Sequence, residues 1–126
     1  MGERTWQERA ALGEELAAQL DRPGAEQQIM ALLLDPDDTA VTYRTARALL
    51  ERRDLRGVRL VLSAEARADA NHAEWLGAAF SNFRADGLGA ADDHLRSALR
   101  SVALDGDREL ADAAADLLEW LGLDSA

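Results

Sequence analysis

The chain has 126 residues, enough for one domain with a sizeable core, and 48% of them are hydrophobic, which excludes a disordered polyampholyte. The formal net charge is −10. That sign argues against nucleic-acid and anionic-membrane binding, both of which need a basic surface, and favours a basic protein partner. There is no cysteine, so thiol chemistry, disulfides and Cys-ligated zinc are ruled out.

Aromatics are only 5% of the chain and there are two prolines. Ala and Leu dominate, both strong helix formers, so long helices are expected. All 14 basic residues are Arg. With abundant Ala, Gly and Asp, this is the composition of a high-GC bacterial genome, so an individual Arg is not read as selected for its fork geometry. The start, "MGERTWQERAALGEEL", is charged and has no signal-peptide core, and no apolar run is long enough to span a bilayer. A cytoplasmic, membrane-free chain is the expectation.

The first predicted element opens at Thr5-Trp6-Gln7-Glu8, a capping box. Trp6, Ala10, Gly13, Ala17 and Leu20 fall on one helical face, and "DRPG", 21–24, stops the helix. A second helix spans 25–34. After "DPDD", 35–38, a third runs from about Thr39 to Arg53, with Val41, Thr45, Ala48 and Leu49 on one side. Asp54 caps a fourth carrying Leu55, Val58, Leu62 and Ala66. Asn71 to Glu74 is a box-like start for a fifth, with Trp75, Ala79, Phe80 and Phe83. "DGLG", 86–89, reads as a turn with two αL-tolerant glycines. Helices at about 90–104 and 107–121 follow, the last ended by Gly122.

These segments repeat. Shifted by about 34 residues, Val41, Ala46 and Leu49 fall on Trp75, Phe80 and Phe83; shifted by about 35 more, on Leu110, Ala115 and Leu118. Each such helix follows an Asp- or Asn-containing turn and another helix. One helix pair cannot bury its own apolar stripe, so pairs stack and share a core. "LLLDPDDTAVTYRTARALLERRD" and "LRSVALDGDRELADAAADLLEWLG" resemble HEAT repeats of the short kind: apolar helix, Asp-containing turn, Val or Leu, a small-residue centre, then Leu. Arg44 lies near the family's frequent Arg, whereas Ala113 stands there in the third unit. The unit around Trp75 is bulkier and departs most. The expected fold is therefore all-α, a right-handed stack of about seven helices forming a short HEAT-like α-solenoid. Residues 1–24 form an N-terminal capping helix, and 25–54, 55–87 and 88–123 form helix-pair repeats.

Three aspartates in "DPDD" invite a calcium reading, but an EF-hand loop needs Gly sixth and Glu twelfth. From Asp35 those positions are Ala40 and Ala46; from Asp105 they are Leu110 and Asp116. A turn at Asp35-Pro36 with Asp37 or Asp38 as helix cap fits instead, stabilising by roughly 1 kcal/mol. His72 and His94 lack the paired spacing of helical zinc sites. Ser63, Ser81, Ser97 and Ser101 lie in helical segments with no nucleophile elbow. No catalytic residue, metal or cofactor is expected, and the chain is read as a non-enzyme.

The resemblance implies that the second helix of each pair lines the concave side. There Tyr43, Arg44, Arg47, Ser81, Asp112, Asp116 and Trp120 form the expected partner-binding strip. An aromatic at each end suits an interface, where such anchors are enriched. The expected function is protein–protein interaction, by a monomer or a weak homodimer joined through the last helix. Two rival readings are an acidic immunity- or antitoxin-like inhibitor of a basic toxin enzyme, and a ligand carrier with a pocket near Trp75, Phe80 and Phe83.

Overall fold

The computed structural model describes residues 4–124, and among them every regular element is α-helical. The elements are α1 (Trp6–Ala17), α2 (Ala25–Leu33), α3 (Thr39–Glu51), α4 (Leu55–Arg67), α5 (Ala70–Ala103) and α6 (Arg108–Leu121). Local chemistry accounts for most of their starts. Thr5 and Glu8 form the reciprocal capping box, with Glu8 N–H donating to Thr5 Oγ1 at 3.2 Å and Thr5 N–H to Glu8 Oε1 at 3.0 Å. Asp38, Asp54, Asp69 and Asp107 cap α3, α4, α5 and α6 through their carboxylates. The cap of the fifth helix thus lies two residues before the Asn71 expected from sequence.

Within "DGLG" the chain breaks as expected, but at Leu88, a single non-helical residue with φ 54° and ψ −139° that divides α5. That conformation suits glycine, yet neither Gly87 nor Gly89 adopts a positive φ. Leu88 is 73% exposed, so its side chain recovers little of the backbone strain by burial. α5 is thus broken into two helical arms, 70–87 and 89–103, joined at Leu88.

Packing follows chain order in a row. α1 lies on α3, α3 on α5, and α5 on α6, while α2 and α4 stand against one another behind α3. α6 also reaches α4. The approach of α1 to α3 is close enough to require Gly13, because a methyl group there would overlap the Thr45 hydroxyl. A single apolar cluster runs from Ala10 to Leu123, built mainly of Leu and Ala around the fully buried Phe80 and Phe83. Removing one buried Leu side chain of such a core costs about 2–5 kcal/mol.

The repeat template is buried at Val41, Ala46, Leu49, Phe80, Phe83, Leu110 and Leu118. It fails at Trp75, which is 40% exposed, and at Ala115, which is exposed. Trp6, expected in the α1 stripe, also stands partly outside, while Ala10, Gly13, Ala17 and Leu20 turn inward with Leu16. No helix of the described residues is long and apolar enough to cross a membrane.

Candidate functional site

The seven strip residues lie on three consecutive helices of the row, and their two ends differ in character. At the α3 end Tyr43, Arg44 and Arg47 are each engaged within the chain, although Arg47 Nε is buried without a partner. Tyr43 packs edge-on against Trp75 of α5, with ring centroids 6.2 Å apart. Its Oη accepts from Asn82 Nδ2 at 2.9 Å and from Arg47 Nη1 at 3.1 Å. Arg47 also pairs with Glu51 at 3.1 Å and with Asp86 of α5 at 2.8 Å. Arg44 reaches back to Glu14 of α1, donating from Nη2 at 2.9 Å and from Nε at 3.3 Å. These arginines stitch the row together.

At the α6 end the polar groups are free. Asp112, Asp116 and Trp120 face Gly77 across a groove of about 540 Å³ between the end of α4, the start of α5, and α6. Its sides are mostly apolar, formed by the small residues Ala66, Ala73, Gly77 and Ala113 with Leu117. The Trp120 ring lies over Gly77: a Cβ there would sit 3.4 Å from Trp120 Cη2. Trp120 is 63% exposed, whereas the next residue, Leu121, is buried. Glu65, Glu74 and Glu109 join the two aspartates around the groove, and no arginine lines it. None of these five carboxylates has an ion-pair partner among the described residues. Glu65 is the deepest: its Oε2 is buried without a hydrogen-bond partner, and burial pushes its carboxyl pKa up.

Ser81 sits between the two ends, half-buried on α5, in a shallow hollow with Arg84, Leu88 and Asp92. The structure therefore joins Asp112, Asp116 and Trp120 into one groove, keeps Tyr43 and Arg47 together in another cluster, and places Ser81 in neither. Sequence reasoning missed Glu65, Glu74 and Glu109. Glu65 lies on α4, and only the contact of α6 with α4 brings it to Trp120. The pocket expected near Trp75, Phe80 and Phe83 does not form around those side chains: both phenylalanines are fully buried, and Trp75 leans outward on Tyr43.

In "DPDD", Asp35 and Asp38 are structural. Asp35, 4% exposed, accepts from Arg9 Nε at 2.9 Å and Arg9 Nη2 at 3.2 Å. Its Oδ2 also accepts from the N–H groups of Asp37 and Asp38, at 3.2 and 2.8 Å. Asp38 caps α3 by accepting from Ala40 N–H at 2.9 Å. His72 locks this turn to α5, its Nε2 2.7 Å from the Asp35 carbonyl and its Nδ1 2.8 Å from Asp69 Oδ1. The Asp35 carbonyl, and then the Asp69 carboxylate, raise the His72 pKa. His94 is the opposite case. Packed edge-on against Phe83, with Nε2 buried and unpartnered, it is held below the ordinary histidine range by burial, and then by Arg53. Among the described residues no group of three or more His, Asp or Glu is placed to hold a metal ion.

Compared with known protein families, curated proteins and solved structures, the chain matches none.

Proposed function

We propose that the chain is a non-catalytic protein–protein interaction module, a short right-handed HEAT-like α-solenoid that offers the exposed side of α3, α5 and α6 to a basic partner. The row of α1, α3, α5 and α6 with α2 and α4 behind it supports that architecture. The observation that carries the function is the groove at α6, where Trp120 stands exposed among five carboxylates without a cation. An exposed aromatic beside small residues is a common anchor at interfaces. An uncompensated charge of one sign steers a partner of the other sign and speeds its association.

The same groove favours a second, narrower reading: an acidic inhibitor that plugs the basic active site of a toxin enzyme. On either reading Tyr43, Arg44 and Arg47 frame the surface and Asp112, Asp116 and Trp120 make the contact. Photo-crosslinking tests the assignment. A benzophenone side chain at Ser81 or Asp112 is expected to capture a defined native partner, and the same group at Asp21, on the turn after α1, is not. Equal capture from Asp21, or none from either strip position, would remove the face. Inhibition of a basic enzyme by the purified chain would select the narrower reading.

A further inference from the structure

We propose that the groove between α4, α5 and α6 seats an arginine side chain carried by a basic protein partner, the guanidinium lying against Trp120 among the groove carboxylates. The inference rests on the reading of α3, α5 and α6 as an interaction surface and specifies what that surface recognises.

Three features of the groove select this occupant. Its shape comes first. Ala66, Ala73, Gly77 and Ala113 leave a smooth slot with no bulky side chain. Such a slot accepts a long unbranched shaft and lets it bury its methylenes while the charged head meets the carboxylates. Charge comes second. Glu65, Glu74, Glu109, Asp112 and Asp116 converge without an arginine among them, although elsewhere arginines are paired across helices, as Arg44 is with Glu14 and Arg56 with Glu26. The third feature is Glu65. Its Oε2 is buried and accepts nothing. The other deeply placed carboxylate, Asp35, accepts from Arg9 and from two backbone N–H groups. An incoming donor would complete at Glu65 what Arg9 completes at Asp35.

The chemistry of the wall decides between cations. A metal ion needs a tight set of oxygen or nitrogen ligands, and no such set exists among the described residues. Lysine's ammonium is a compact, strongly hydrated point charge, poorly matched to an apolar slot. Guanidinium is planar and weakly hydrated. It stacks on indole and donates in a fork to carboxylates at the same time.

The test uses the full chain carrying Trp6→Phe and Trp75→Phe, so that Trp120 is the sole fluorophore of the three tryptophans. The probe is a short arginine peptide with Gly-Ser spacers. Controls are the same peptide with lysine, or with the neutral isostere citrulline, in place of arginine. The arginine peptide is expected to change Trp120 emission saturably and to bind about tenfold tighter than the lysine peptide. Glu65→Gln, which preserves shape, is expected to weaken binding about tenfold. Glu119→Gln makes the same charge change on α6 outside the groove and is expected to change binding less than about twofold. Circular dichroism establishes that each variant is folded.

Equal binding of the lysine or citrulline peptide, an equal loss in Glu119→Gln, or no binding at all would overturn the arginine assignment. If the peptide fails while crosslinking from Ser81 and Asp112 still captures a partner, the interaction reading stands and the arginine inference alone falls.

Discussion

The two ends of the α3–α5–α6 face hold similar residue types in opposite arrangements. On α3 both arginines meet a carboxylate on a neighbouring helix: Arg44 with Glu14, Arg47 with Asp86. Around α6, carboxylates gather with no arginine to meet. Five of the acids behind the net charge of −10 gather unpaired at the groove. The α3 end spends its charge on holding helices together. The α6 end leaves its charge for something outside the chain.

Asp35 is the severest way to break the closed side. Asp35→Ala leaves Arg9 partly buried without its acceptor and frees two N–H groups of the turn, so stability should fall by about 3 kcal/mol. A shift of the urea midpoint with unchanged slope measures it. Arg44→Gln, at an exposed pair, should cost less than about 1 kcal/mol by the same measurement. A large effect there would mean that the exposed pairs hold the row more strongly than their solvent exposure allows.

Leu88→Gly is a control that touches neither end. Glycine accepts the positive φ of the α5 break without strain and gives up almost no burial. A gain of about 1 kcal/mol is expected, with unchanged partner binding. A loss of stability would show that the break is held by more than its backbone geometry.

Glu65→Gln sharpens the open side. It removes a charge that burial disfavours and that nothing in the chain compensates, so thermal denaturation should show a gain of up to about 1 kcal/mol at neutral pH. A groove residue that destabilises the free protein yet strengthens binding fits a site shaped for a ligand. A drop in melting temperature would instead give Glu65 a structural role.

The smallest effects concern pH. His72 has a raised folded pKa, so its stabilisation is present below the unfolded value of about 6.5 and is lost as pH rises through the folded value. His94 has a lowered folded pKa. Its contribution is present above about 6.5 and is lost as pH falls through the folded value. The two oppose each other. Melting temperatures between about pH 5 and 8 should therefore tilt in opposite directions in the two single variants. His72→Gln should lose more stability on acidification than the parent chain, and His94→Phe less. Parallel tilts would show that one ring's surroundings are misread.

Much of this was legible in the sequence because it is local. A capping carboxylate bonds an N–H two or three residues away, so Thr5, Asp38, Asp54 and Asp107 could be read from spacing alone. The outward placement of Asp112, Asp116 and Trp120 followed from helical periodicity. The failures are of two kinds. Leu88 took a conformation that its glycine neighbours could adopt more easily, a choice that residue type alone does not indicate. Asp35 and Glu65 depend on distant chain: one is buried by Arg9, 26 residues upstream, and the other opens into a groove completed by α6. Asp35 read as one of three similar acids, yet it is the one that turns inward.

The acidic surface of α6 also bears on how copies of the chain meet. Glu109, Asp112, Asp116 and Glu119 are all exposed along α6, the first three at the groove. An uncovered helix face is a place where another copy could pack, as edge strands can pair in a sheet. Like charges of this density make such packing self-repelling. The acids that leave the groove open to a basic visitor also discourage the chain from recruiting itself, and acid or high salt should relax both properties together.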